Sequence, residues 1–200
     1  MDSPSVISRR RTIRRYTDRS VPLQLINSVL EAGTRAPSPH NRQPWRFATI
    51  TGDARIRLAL AMGKQLRADL TKDGQPPHII DADVARSYQR ITSAPVSILL
   101  CLTMHDMDVY PDAHRNEMER WMAGQATAAA IQNMLLRAAE LSLGACWMCA
   151  PLFCPAVVVE TLHLPSDWEP QALIALGYPA DDGKERARLA LDSISLYISE

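Results

Sequence analysis

The sequence lacks a net charge, a long hydrophobic run and a glycine-rich dinucleotide loop. Its 22 basic and 22 acidic side chains cancel, so bulk charge gives no support to a general nucleic-acid or membrane-surface role. The longest apolar run, residues 94–102, is far too short to span a bilayer. No G-x-G-x-x-G follows a predicted strand, which excludes a separate Rossmann site, and no Ser-His-Asp pattern is present.

Signals for export, disulfides and metal sites are also missing. The first residues contain no apolar signal core, so we expect no secretory peptide, a cytoplasmic location and free thiols. Cys146 and Cys149 form a single C-x-x-C without a second pair, so we favour buried or site-lining thiols over a zinc or redox site. The histidines and aspartates of residues 105–114 are interpreted as an acidic loop, and no metal is expected.

The hydrophobic pattern predicts an α+β protein in one domain. The chain has 200 residues, of which 46% are hydrophobic and 22% charged, as in ordinary globular domains. A helix rich in alanine and glycine, over residues 118–143, is expected to pack closely against the sheet, a second subunit or both. Strands are predicted over residues 45–51, 95–103, 145–148 and 172–176, and further helices over 21–36, 55–70, 79–91 and 155–162.

Arginine is concentrated near the start of the chain. Nineteen of the 22 basic residues are arginine, and six of them lie within residues 9–19. Charges of one sign at this density repel one another unless an anion or an acidic partner relieves them. The segment therefore indicates either an anion site, with guanidinium groups on a phosphate and the Thr12 hydroxyl as a further donor, or a solvated basic face or nucleic-acid contact.

Three further segments could contribute to the same site. Residues 36–45 (APSPHNRQPW) form a proline-stiffened polar loop that suits ligand contacts, although a helix stop followed by a turn is the favoured interpretation of this segment alone. Residues 143–153 (LGACWMCAPLF) would suit a flat apolar ring but also suit a core. Arg186 and Arg188 lie in the tail, where they could close over a phosphate or simply be solvated.

Taken in order, these segments resemble the FMN-dependent nitroreductase family over about residues 7–191. That family's N-terminal R-x-[ST]-x-[RK] segment binds the flavin phosphate, ribityl chain and ring. Its P-S-x-x-N-x-Q-P-W loop and the glutamine of its central helix approach the flavin from the other subunit. The family also has a strand-end segment beside the flavin ring and a C-terminal basic pair that holds the phosphate. This sequence matches the family's motifs at Arg10, Arg11, Thr12, Arg14, Pro37, Ser38, Asn41, Gln125, Trp147, Met148, Cys149, Ala150, Arg186 and Arg188.

The resemblance implies a nitroreductase-like fold with a central, mainly antiparallel sheet of four to five strands flanked by helices. It also implies an intertwined homodimer with FMN at the subunit interface, with residues 1–200 as one FMN-binding domain and residues 178–200 embracing the partner. The implied activity is hydride transfer from NAD(P)H or a reduced cofactor, via FMN, to a nitroaromatic, quinone or related conjugated acceptor. No catalytic side chain is implied, since the flavin carries the chemistry and Arg14 stabilises the reduced ring. Neither nucleic acid nor a membrane is an implied partner.

A narrower resemblance points to one subgroup. Residues 93–112, 144–155 and 164–179 are similar to the nitroreductase-like domain associated with the glutamate ligase of deazaflavin-coenzyme biosynthesis, which uses FMN to reduce a dehydro precursor. Reduction of such a precursor is therefore an alternative activity. Cys149-Ala150-Pro151 replaces the acidic-Gly or Gly-Gly pair of better-known nitroreductases, which leaves a non-catalytic flavin-binding protein as a second alternative.

Overall fold

One four-stranded antiparallel sheet organises the chain. The computed structural model describes residues 5–199, and the sheet has the strand order β1-β2-β4-β3. The strands are β1 (Trp45–Ile50), β2 (Val96–Leu102), β3 (Gly144–Met148) and β4 (Glu169–Gly177). The helices are α1 (Val6–Arg9), α2 (Leu23–Gly33), α3 (Asp53–Lys72), α4 (Pro77–Thr92), α5 (Ala113–Glu140) and α6 (Pro155–Leu162). This architecture confirms the predicted α+β class and the antiparallel sheet.

Alternating side chains of the central strand β2 divide the interior into two cores. Ile98 and Leu100 pack with residues of α2 and α5 on one face of the sheet. Leu99 and Cys101 pack with residues of α3 and α6 on the other face. Because successive side chains of a strand point to opposite faces, an uninterrupted apolar strand is expected where both faces are covered. Between Ser5 and Ser199, no helix combines the length and apolarity needed to cross a bilayer.

The long helix α5 begins earlier and ends earlier than residues 118–143, the range that its apolar pattern predicts. The Asp112 carboxylate accepts a hydrogen bond from the Arg115 backbone N–H at 2.9 Å and caps the helix. This bond and the Arg115 side chain hold the pKa of Asp112 below its usual value. At the other end, Ser142 adopts a left-handed φ of 59°, so the helix cannot continue to Leu143.

The observed ends of other helices and strands also differ from the predicted ones. α2 ends at Gly33 rather than continuing to residue 36, and α3 and α4 each extend a little beyond their predicted ranges. β4 begins at Glu169 rather than at residue 172, although its second residue is Pro170. Pro170 is tolerated there because the pairing with β2 shifts register between Leu100 and Cys101, and prolines inside sheets concentrate at such irregularities.

The arginine-rich segment is held against β3, at the edge of the sheet. Thr12 forms a parallel bridge with Ala145, and the Ile13 N–H donates to the Ala145 carbonyl at 3.0 Å. Gly144 makes this approach possible, because a Cβ there would lie 2.7 Å from Cγ2 of Ile13. The segment then meets the start of the tail, where the Thr17 N–H donates to the Tyr178 carbonyl at 2.9 Å.

Gly144→Ala is expected to lower the free energy of unfolding by about 1–3 kcal/mol, because the new methyl group overpacks against the buried Ile13 side chain. Denaturant titration followed by circular dichroism measures the change. Gly63→Ala is the matched control: it lies in α3, and its Cβ would meet Val84 at an ordinary 3.4 Å. The control should be neutral or stabilising by about 0.5–1 kcal/mol. Equal stability of the two variants would contradict the close approach of Ile13.

Candidate functional site

A cationic cleft of about 790 Å³ lies between the arginine-rich segment and the first part of the tail. Seven cationic side chains and two carboxylates line it. Six of the predicted site residues come together here, namely Arg10, Arg11, Thr12, Arg14, Arg186 and Arg188. Residues from both ends of the chain therefore form one cleft.

Gly183 lets the tail turn closely against the arginine-rich segment. Its φ is +69°, a left-handed conformation that favours glycine. A Cβ at this position would lie 2.9 Å from Cδ1 of Ile13 and 3.0 Å from Cβ of Arg11. The Asp181 side chain accepts a hydrogen bond from the Gly183 N–H at 3.0 Å and fixes the turn. A glycine is thus required where the two walls of the cleft meet.

The carboxylates in the cleft neutralise only part of its charge. Asp181 lies 4.0 Å from Arg15, and Glu185 lies 3.5 Å from Arg11. The other five cationic side chains that line the cleft have no carboxylate within 4.0 Å in residues 5–199. Arg11 is further occupied, because its Nη1 donates to the Ser8 carbonyl at 2.5 Å. The remaining positive charge provides an attractive field for an anion.

A second pocket, of about 430 Å³, adjoins this cleft at Arg14. One wall is the end of β3 and the turn after it, and contains the four predicted ring-side residues Trp147, Met148, Cys149 and Ala150. The other wall comes from α3 and α4 and includes Leu66, Arg86 and Arg90. The sequence predicts α4 as a helix, but nothing in its pattern shows that Arg86 and Arg90 face this pocket.

The thiols near the second pocket differ in their surroundings. Cys149 is exposed, whereas Cys101, Cys146 and Cys154 are buried. Burial raises the pKa of the Cys101 thiol to about 12. Burial also raises the pKa of Cys146, against the opposing positive charges of Arg14 and Arg90. Both arginines line the second pocket together with Cys146.

A thiol reagent such as iodoacetamide is expected to label the native protein first at Cys149, because the thiolate is the reactive form and the other three thiols are buried. Mass spectrometry should find about one label per chain before unfolding and four afterwards. The matched control Cys149→Ser should take up almost no label in the native state. Labelling of Cys101 at the same rate as Cys149 would contradict this expectation.

The remaining predicted residues lie away from both cavities. Pro37, Ser38 and Asn41 sit in the loop before β1, where the Ser38 hydroxyl accepts a hydrogen bond from the Gln43 N–H at 3.0 Å. Asn41 has a left-handed φ of 54°, as do two neighbours in this loop. Gln125, on α5, lines a different pocket of about 420 Å³ beside Trp121. The chain alone does not bring these four residues to the cationic cleft.

One residue of α5 that sequence reasoning missed does approach the cleft. Gln132 lines a small cavity of about 230 Å³ together with Arg10, Thr12, Arg14 and Trp147. Gln132 lies two turns beyond Gln125 on the same helix, and nothing in the surrounding alanine-rich pattern distinguishes the two glutamines.

The fold and the joined cavities define an α+β protein with a cationic cleft that opens beside a wall of thiol, thioether and aromatic side chains. Residues 7–178 match the nitroreductase family, and the chain belongs to that family.

Individual relatives are similar over almost the whole chain. An NADH dehydrogenase of Thermus thermophilus is 29% identical to this protein. The match covers 98% of this chain and 96% of the relative. A protein of Methanothermobacter thermautotrophicus, described as an NADH dehydrogenase/NAD(P)H nitroreductase, is also 29% identical, over 98% of this chain and 87% of its own length. A solved structure from Desulfovibrio desulfuricans, described as a nitroreductase in complex with FMN, is 30% identical with a TM-score of 0.75, over 100% of this chain and 99% of that one.

Proposed function

We propose that this protein is an FMN-dependent oxidoreductase with NAD(P)H as the electron donor. Bound FMN would accept hydride from the donor and pass it to a nitroaromatic, quinone or related conjugated acceptor. The observation that carries the proposal is the surplus of positive charge in a cleft that adjoins the Trp147–Ala150 wall. The FMN complex of the Desulfovibrio relative supports the choice of cofactor.

The residues of the cleft fit a flavin phosphate. Arg10, Arg186 and Arg188 are free of carboxylate partners within residues 5–199, and guanidinium forks bind phosphate in a bidentate manner. We assign these three arginines to the phosphate. The Thr12 hydroxyl and the part of Arg11 not engaged by Ser8 and Glu185 would contact the phosphate or the ribityl chain.

The second pocket fits the flavin ring. Trp147 and Met148 offer a flat, polarisable surface, and the backbone N–H of Cys149 or Ala150 is assigned to the ring nitrogen that exchanges hydride. Arg14 lines both cavities, so it can place its positive charge at the pyrimidine edge of the ring. A fixed charge aimed at developing negative charge stabilises the reduced state.

A homodimer would complete the site. Ser38, Asn41 and Gln125 lie outside their own chain's cationic cleft, so we assign them, with Pro37, to the flavin site of the partner. We also propose that residues 1–200 act as one FMN-binding domain and that residues 178–200 embrace the partner. The tail exposes apolar side chains, with Leu196, Tyr197 and Ile198 each more than 80% accessible, and such surface favours a protein contact.

Catalysis is proposed ahead of flavin storage because Cys149 and Phe153, at and beside the altered ring-edge sequence, are exposed, so a substrate could reach a ring placed there. A dehydro precursor of the deazaflavin coenzyme remains the alternative acceptor, on the strength of the sequence resemblance described above. A cytoplasmic location is proposed because all four cysteines are free thiols, as expected in a reducing compartment.

The first experiment is to record the visible spectrum of the purified protein and to identify the flavin released on denaturation. About one FMN per chain supports the proposal, and no flavin together with no uptake of added FMN contradicts it. Turnover is then followed as NAD(P)H oxidation with a nitroarene, each cycle consuming one NAD(P)H, one proton and one nitro group and yielding NAD(P)⁺, a nitroso group and water. Parallel assays with a quinone and a deazaflavin precursor separate the acceptors, and no turnover with any of them would indicate a non-catalytic flavin protein.

A further inference from the structure

The wall of the second pocket opposite Trp147–Ala150 is cationic. It is formed by α3 and α4, and α4 contributes Asp83, Arg86, Ser87, Arg90 and Ile91. Because residues four apart lie on one face of a helix, Arg86 and Arg90 both point towards the same side of α4. The Asp83 carboxylate offsets one of these two guanidinium groups, so the α4 side of the pocket keeps a surplus of one positive charge, which favours a negatively charged occupant.

The two arginines differ in how they are neutralised. Arg86 pairs with Asp83 at 2.8 Å on the same helix. Arg90 has no carboxylate within 4.0 Å in the part of the chain that the structure describes. Arg90 and Cys146 line the same pocket, and the positive charge of Arg90 acts to lower the pKa of the Cys146 thiol. Arg90 is therefore the cation in this wall that is free to bind a ligand.

Apolar side chains flank the cations. Leu66 of α3 lines the same pocket, and Phe153 stands at its rim with 82% of its surface exposed. An exposed phenylalanine beside a free guanidinium matches a ligand with an apolar ring at one end and an anionic group at the other.

We propose that Arg90, with Arg86 beside it, binds the carboxylate of the acceptor, so that the preferred substrates are aromatic or conjugated carboxylic acids. This inference rests on the proposed function. If the flavin ring lies on the Trp147–Ala150 wall, an acceptor over its open face must contact the α4 side, where Arg90 lies.

The test compares two nitroarenes of similar size, 4-nitrobenzoate and the neutral 4-nitrobenzyl alcohol. The wild-type holoenzyme is expected to prefer the carboxylate in kcat/KM. Arg90→Gln should lower kcat/KM for 4-nitrobenzoate about tenfold, as for loss of one charge-assisted hydrogen bond, and change it less than about twofold for the alcohol. Calorimetric titration with benzoate, which is not reduced, should show the same loss of affinity.

Arg67→Gln is the matched control. Arg67 belongs to the same helix pair but binds Asp81 at 2.6 Å and does not line the pocket. It should leave both substrates and the benzoate affinity unchanged. Three results would overturn the inference: equal losses for both nitroarenes, a raised KM for NAD(P)H alone, and loss of FMN from Arg90→Gln. The last two would assign Arg90 to the donor or to the flavin. Absence of FMN from the wild type would instead contradict the proposed function itself.

Discussion

A dimer that joins an Arg10→Ala subunit to an Asn41→Ala/Gln125→Ala subunit is expected to bind one FMN at wild-type affinity, although the homodimer of either variant binds FMN weakly. The reason is that the cationic cleft and the Asn41–Gln125 side of the chain are separate within one subunit. In the mixed dimer, one site combines two altered halves, and the other combines two intact halves. Only a site shared between subunits gives this rescue.

The two parental defects should be large enough to measure. Removing Arg10 deletes a charge-assisted hydrogen bond to phosphate, worth about 1.5–3 kcal/mol, so FMN affinity should fall about 10- to 100-fold. Asn41 and Gln125 are exposed in the single chain, so their replacement should not disturb its core. The Asn41→Ala and Gln125→Ala substitutions together should remove one or two hydrogen bonds to FMN and weaken its binding by about 1 kcal/mol for each bond.

Mixed dimers can be isolated by co-expression of subunits with two different affinity tags. FMN binding is followed by quenching of flavin fluorescence, with the dimer that carries all three substitutions in each subunit as the control. That control has no intact site and should show no tight binding. If both parents bind FMN weakly, a mixed dimer no better than its parents would place each flavin site within one chain. Tight binding by the Asn41→Ala/Gln125→Ala homodimer would instead remove these two residues from the site.

Arg14→Ala is expected to slow reduction of the bound flavin by NAD(P)H about 100-fold while weakening FMN binding less than about tenfold. Arg14 lines both the cationic cleft and the ring-side pocket, so in the proposed complex its charge should act on the ring more than on the phosphate. Loss of one preorganised donor to a developing anion commonly costs 10²–10³ in rate, about 2.7–4 kcal/mol. The reduction potential of the flavin should fall by about 60 mV for the same reason.

Stopped-flow absorbance measures the rate, and equilibrium reduction against a reference dye measures the potential. Arg14→Lys keeps the charge and should recover most of both values. Arg57→Ala is the control for general charge, because Arg57 is exposed on α3 and lines neither cavity. Equal losses in flavin retention and reduction after Arg14→Ala would contradict the assigned role at the ring.

Local patterns were sufficient to predict the four strands. β2 is a short apolar run bounded by proline, whereas β1 was predicted from Phe47 and Ile50 among small and polar residues. Local patterns were insufficient at the start of α5, where residues 113–117 are almost all polar and the helix is set by the Asp112 cap. The extra residues of β4 escaped prediction for a related reason. Pro170 argues against a strand unless the register shift opposite it is known.

The residues of the candidate site were likewise only partly predictable from the sequence. The sequence resemblance predicts which residues serve the flavin, and the structure brings Arg10 and Arg188 to one cleft across almost the whole chain. Arg86 and Arg90 were missed because their importance comes from where α4 packs, which periodicity does not reveal. The contribution that we propose for a partner subunit is likewise not visible in a single chain, and the resemblance is what suggests it.

The pairing of Thr17 with Tyr178, and of the Arg15 carbonyl with the Ala180 N–H at 3.0 Å, also has a consequence for protein synthesis. The first arginines leave the ribosome early but gain their backbone partners only when residues 145–180 have followed. Arg186 and Arg188 emerge later still. A nascent chain should therefore be unable to hold the cofactor until residues 186–188 have left the ribosome. Chains stalled before the tail emerges should remain colourless.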